Sequence, residues 1–149
     1  MKKILWMTLL LAGALMASEI HWIKSYQNTL SSASAAKKPI VLVISSHNCK
    51  WCRHLEKTTF KDPAVIKQLN KEFVSITVYT DMYKHYPNYI DQRSYYPKAL
   101  YRQGTPTIWF LDSKGKPLFD AVQGAIDAKN FLQALDIVKK KFDKETVQQ

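Results

Sequence analysis

The sequence predicts an α/β fold in three layers, with a central mixed sheet of four to five strands flanked by helices. Three observations carry that expectation. Continuous runs of β-branched, aromatic and leucine residues at Ile40–Ile44, Phe73–Tyr79 and Thr107–Leu111 have the length and composition of buried strands. Segments of helical composition lie between and after them. The order is strand, helix, strand, helix, strand, an irregular stretch, then strand, strand and helix, which makes a βαβ half followed by a ββα half.

Along the chain, Ile20–Ile23 alternates apolar and polar residues as a short strand would. Ser25–Lys38, built around Tyr26, Leu30 and several alanines, reads as a helix. Pro39 ends it, because proline disfavours helical backbone in the residue before it. After Ile40–Ile44 comes the polar turn Ser45–Asn48, and Cys49 opens the next helix. Helical spacing places Trp51, Leu55 and Thr59 on one face, and Cys52 and Glu56 on another. Asp62 is a good N-cap and Pro63 fits a first turn, so a helix restarts there with Val65, Ile66 and Leu69 as its apolar side. Downstream of Thr107–Leu111, Asp112–Gly115 is a polar turn and Pro117–Val122 the expected hairpin partner. Gly124 ends the sheet. Asp127 caps a last helix to about Phe142, with Phe131, Leu135 and Val138 on one stripe.

The 149 residues, 46% hydrophobic and 23% charged, suit one globular domain and exclude a disordered chain. Lys2 and Lys3 precede an apolar run from Ile4 to Leu15, followed by the small residues Ala17 and Ser18. That pattern is a secretory signal, too short for a membrane span. The expected organisation is therefore a cleavable signal peptide at 1–17 and one domain at 18–149, with an uncleaved N-terminal anchor as the alternative. The formal net charge of +10 is spread along the chain and reads as a solvated surface that happens to be basic, with acidic partners or membrane surfaces as the alternative. Nucleic acid is not an expected partner of an exported protein.

The chain has two cysteines, Cys49 and Cys52. A bridge between them closes so small a loop that it removes little freedom from the unfolded chain, so stability is a poor reason for the pair. The first turn of a helix supplies unpaired N–H groups and the positive end of the helix dipole. A Cys49 thiolate there is stabilised, with Lys50, Arg53 and protonated His47 or His54 adding to the effect. Such a thiolate attacks a disulfide to form a mixed disulfide, and Cys52, one turn on, displaces the bound sulfur. Trp51 shields the pair and offers apolar contact to a partner. Arg53 after the second cysteine excludes covalent haem attachment, which needs histidine there. A metal site combining the pair with His47 or His54 remains an alternative of another class, as does an inert bridge. No resident cofactor or metal is expected.

A second motif, Gly104-Thr105-Pro106-Thr107, precedes a buried strand, where proline would normally weaken the ladder. It fits a cis Thr105–Pro106 bond, which would turn the Thr105 backbone outward toward an extended substrate. Thr105 and Pro106 are accordingly expected to contact substrate, together with Trp51.

With these residues the chain resembles the thioredoxin superfamily over about Ile20 to Phe142. Within it, the string Cys49-x-x-Cys52-Arg53-x-x-Glu56-Lys57-x-Thr59-Phe60-x-Asp62-Pro63-x-Val65 is most similar to the C-terminal periplasmic domain of the DsbD reductant transporters. The resemblance implies a thioredoxin-like fold and a periplasmic thiol–disulfide oxidoreductase that reduces protein disulfides, with an oxidase or isomerase as the alternative direction. It implies Cys49 as attacking residue, Cys52 as resolving residue and Glu56 as a proton-relaying or tuning group. Protein thiols and disulfides, and a DsbD-like membrane electron donor, are the implied partners. Two departures stand out. The buried acid expected six residues before the first cysteine is Val43. Residues 81–103, with Tyr83, Tyr86, Tyr89, Tyr95 and Tyr96, are unlike the family core and suit either a docking surface or a local mini-core.

Overall fold

The computed structural model describes residues 19–80 and 96–148. The expected signal peptide at 1–17 and most of the tyrosine-rich segment lie outside the described residues. The elements are β1 (Trp22–Ile23), α1 (Tyr26–Ala36), β2 (Ile40–Ser45), α2 (Lys50–Lys57), α3 (Pro63–Glu72), β3 (Val74–Tyr79), β4 (Thr107–Leu111), β5 (Val122–Gln123) and α4 (Ala128–Val147). Short 3-10 turns at Thr59–Lys61 and Lys98–Leu100 complete the order.

The sheet has five strands in the order β1-β3-β2-β4-β5. Strands β1 and β2 both run parallel to β3, whereas β4 is antiparallel to β2 and β5 to β4. The central strand β2 is buried along its whole length, which is why Ile40–Ile44 reads as a continuous apolar run. Alternate side chains serve opposite faces. Val41 and Val43 join the core formed with Leu55, Ile66, Phe131 and Leu135 from α2, α3 and α4. Ile40, Leu42 and Ile44 join Tyr26 and Ala33 of α1, together with Trp109. The three layers are thus α1, the sheet, and the α2–α3–α4 side.

Helix starts follow local chemistry. Asp62 Oδ1 accepts from the Ala64 and Val65 N–H groups, and Pro63 occupies the first turn of α3. Asp127 Oδ1 accepts from the Asn130 N–H at the head of α4. Those Asn130 bonds, backbone first and then side chain, hold the Asp127 carboxyl below its ordinary value of 3.8.

Three elements differ from expectation. The partner of β4 is Val122–Gln123, not Pro117–Val122; Pro117 makes only an isolated bridge to Leu111. The Asp112 N–H donates to the Lys116 carbonyl and the Leu118 N–H to the Phe110 carbonyl, so Pro117 sits where its missing N–H is not needed, and the chain leaves β4 after Leu118 and rejoins it at Val122. Helix α4 continues past Phe142 to Val147. The Lys139–Asp143 and Lys141–Glu145 pairs, each four residues apart, support that extension. Trp51 does not share the buried face of Leu55: it is 58% exposed while Leu55 is fully buried, because the core side of α2 is formed by Cys52 and Leu55.

Candidate active site

Strand β2 ends at Ser45, and the turn after it delivers Cys49 as the N-cap of α2. The Cys49 backbone is extended while Lys50 is already helical, so its side chain lies at the mouth of the helix. The Cys52 N–H donates to Cys49 Sγ at 3.0 Å. This is one of the first-turn donors that a helix cannot satisfy internally. Cys49 and Cys52 are joined as a disulfide, with Cα atoms 5.2 Å apart. The two sulfurs are not equivalent in access. Cys52 is 1% exposed beneath the helix, whereas Cys49 sits half-buried at its mouth. An incoming group reaches Cys49 first.

The loop before β4 closes over the pair from the other side. The Thr105–Pro106 peptide bond is cis, and the Thr105 carbonyl oxygen lies 3.3 Å from Cys49 Sγ. The Thr105 carbonyl thus lies beside the sulfur at the mouth of α2. Thr107 Oγ1 donates to the Gly104 carbonyl and the Gly124 N–H donates to the Pro106 carbonyl, which tie this loop to β4 and β5. Gly104, at φ 100°, takes a left-handed conformation that glycine adopts without a Cβ clash. Pro106 itself is buried.

Around the pair, the remaining candidates separate. Trp51 projects from α2 between the cysteines, with Lys50 Nζ 5.9 Å from its ring centre and His54 edge-on to it. Glu56 lies one turn beyond Cys52 on the same side of α2. Its Oε1 accepts from the Tyr79 hydroxyl at 3.2 Å. Tyr79 in turn stacks on His47, ring centres 4.1 Å apart, and Arg53 Nη1 donates to the His47 carbonyl at 2.8 Å. Val43 is 2% exposed, within the same core as Leu55. The position that would hold a buried acid is thus a plain core residue. Sequence reading missed Tyr79. A polar-tipped residue ending a buried strand that pairs with β2 was the available signal, since its partner in register is Ser45.

Among the described residues, no three His, Cys, Asp or Glu side chains gather as metal ligands. His47 and His54 face the aromatic rings of Tyr79 and Trp51. Of the segment 81–103, Tyr96 and Leu100 pack into the core on the α1 side, and the Leu100 carbonyl accepts from Trp109 Nε1 at 2.7 Å. Tyr101, in contrast, is 58% exposed.

A pair of vicinal cysteines at the mouth of a helix, one sulfur reachable and the other beneath it, on this five-stranded sheet, is the arrangement of a thiol–disulfide oxidoreductase. The chain belongs to the thioredoxin-like domain family, whose model matches residues 26–139. It is 35% identical over 122 residues to the thiol:disulfide interchange protein DsbD of Vibrio vulnificus, and 34% identical over 105 residues to that of Yersinia pestis. Those matches cover 78% and 69% of this chain but only 19% and 16% of the relatives, so the chain spans less than a fifth of their length. Among solved structures, the C-terminal domain of Neisseria meningitidis DsbD in its oxidised form aligns with TM-score 0.55 at 19% identity, covering 74% of this chain and 89% of that one. A DsbH oxidoreductase aligns with TM-score 0.60 at 16% identity, covering 85% and 89%. A thioredoxin from Thermus thermophilus gives 0.59 at 23%, covering 80% and 87%. These structural likenesses concern the fold. Among the described residues, no helix is long and apolar enough to cross a membrane.

Proposed function

We propose that this protein is a periplasmic reductant of protein disulfides, exported by the segment 1–17 and recharged by a DsbD-like membrane donor. The observation that carries the reading is the placement of Cys49 Sγ at the head of α2, reachable from solvent and bonded by the Cys52 N–H. The DsbD likeness supports the direction and the compartment.

Two influences act on a reduced Cys49. The Cys52 N–H and the helix dipole favour the thiolate. The Thr105 carbonyl, 3.3 Å away, favours the protonated thiol that can donate to it. The N–H bond and the dipole act together against this single acceptor, so the thiolate is favoured overall. The exchange then balances as follows. The Cys49 thiolate forms a bond to one sulfur of a substrate disulfide, whose S–S bond breaks and releases the other sulfur as a thiolate that takes up a proton. Cys52, having lost its proton, attacks Cys49 Sγ, regenerates the Cys49–Cys52 bond and frees the second substrate thiol. Two electrons pass from the protein to the substrate.

With Val43 in place of an acid, we assign the proton of Cys52 to Glu56, held by Tyr79. Trp51 and the Thr105–Pro106 loop are assigned to contact the substrate.

The test is trapping in the native compartment. Cys52→Ala removes the resolving sulfur, so substrates should accumulate as mixed disulfides on Cys49 and be identified by mass spectrometry after release with reductant. Recovery of none, while the variant protein is present and folded, would remove the exchange reading.

A further inference from the structure

The turn between β2 and α2 is tied to α2 by its backbone and to β3 by a side chain. Arg53 reaches back along α2, and its Nη1 donates to the His47 carbonyl at 2.8 Å. The His47 imidazole lies flat on the ring of Tyr79, ring centres 4.1 Å apart and planes 18° from parallel. Tyr79 closes β3 opposite Ser45, the last residue of β2, and the Thr80 N–H beside it donates to the Ser45 carbonyl at 2.9 Å. From that fixed point the Tyr79 hydroxyl donates to Glu56 Oε1 at 3.2 Å. The path from Arg53 through His47 and Tyr79 to Glu56 thus leaves α2 and returns to it three residues further on.

Each contact limits a freedom that the next group has. The Glu56 side chain is half-buried and turns about three bonds, and the Tyr79 hydroxyl holds its carboxylate in one of the available positions. Tyr79 is itself half-buried at a strand end, and the plane of its ring is set by the flat ring that covers it. His47 is exposed and belongs to neither core cluster. Its ring can therefore be removed without opening the core, while the position of Glu56 depends on it.

We infer that His47 is a positioning residue for release of the bound substrate: its ring sets Tyr79, Tyr79 sets Glu56, and the carboxylate is thereby held for the proton of Cys52. This inference rests on the exchange reading above and on the role assigned there to Glu56. It gives the imidazole a task separate from its charge, because stacking needs only a flat ring. A contact of this kind supports rate changes of roughly 2- to 12-fold.

The test separates the two steps of exchange. Fully reduced protein would be mixed in stopped flow with an equimolar chromogenic aromatic disulfide, which releases one coloured thiolate when Cys49 attacks and the other when Cys52 resolves. His47→Ala and His47→Phe both remove the imidazole charge, so any effect of that charge on Cys49 changes the first release equally in the two. The second release should slow at least about threefold in His47→Ala and return to within about twofold of the wild type in His47→Phe, which keeps a flat ring. Tyr79→Phe should also slow the second release, and His47→Ala/Tyr79→Phe should be no slower than the slower single variant, because both act on one carboxylate. A second release as slow in His47→Phe as in His47→Ala, effects that multiply in the double variant, or a wild-type second release in His47→Ala would each overturn the inference while leaving exchange standing. Absence of the first release from the folded, reduced wild-type protein would overturn the exchange reading and take this inference with it.

Discussion

At the scale of the residue, the proposed site divides its labour between two sulfurs and one carboxylate. Cys49 is at the mouth of α2, Cys52 is under it, and Glu56 is one turn further along, tethered to Tyr79. The tether has a measurable consequence. Tyr79→Phe removes a donor from the Glu56 carboxylate but keeps the ring that stacks on His47. Release of a Cys49 mixed disulfide should slow, because the carboxylate loses the group that positions it, while stability falls by only about 1 kcal/mol. A release rate identical to the wild type would mean that Tyr79 only packs. The cysteine pair and the Gly-Thr-Pro motif were legible in the sequence because each carries its meaning in adjacent residues, whereas helical spacing put Trp51 on the face of Leu55, from which it is turned away. Tyr79 was not, because its bond to Glu56 joins positions 23 residues apart and exists only once β3 lies beside β2.

At the scale of the element, α2 is the working part. It is eight residues long and carries a sulfur as its N-cap, where a hydroxyl or carboxylate usually serves. A thiolate accepts a hydrogen bond and meets the helix dipole better than a thiol does, so the cap and the proposed nucleophile are the same atom. Ultraviolet titration of the reduced protein should show Cys49 ionising well below about pH 8.5, inside the range of roughly 3.5–7.5 seen for sulfurs so placed. A midpoint at or above the ordinary value would show that the Thr105 carbonyl outweighs the helix. Legibility varied by element for physical reasons. Strands β2, β3 and β4 were readable because burial on both faces demands continuous apolar runs. The end of α4 was not, since surface ion pairs rather than an apolar stripe carry it to Val147. Nor was β5, a two-residue edge strand reached only after the chain has left β4 beyond Leu118.

At the scale of the whole molecule, the core and the chemistry are separable. Large side chains such as Trp109, Phe131 and Leu55 are fully buried on the two sides of the sheet, and the fold is held there. The cysteine bridge links positions three apart. In the chain-entropy account so short a loop is worth about 2 kcal/mol, against about 4.7 for a loop of 100 residues. Cys49→Ser/Cys52→Ser should therefore fold cooperatively and lose no more than about 2 kcal/mol in urea denaturation. A loss well beyond that, or an unfolded protein, would show that the bridge is structural.

A groove between α2 and the chain at 125–128 belongs to this same scale. Its walls come from segments near residues 51–61 and 125–128, and no local pattern could have joined them. Because the bridge spans a single turn of one helix, making or breaking it crosses no boundary between layers. Any signal of the electronic state therefore has to come from the sulfurs and the turn they share. Selection of the right encounter falls to reactivity, and selection of the right partner to the landscape around it.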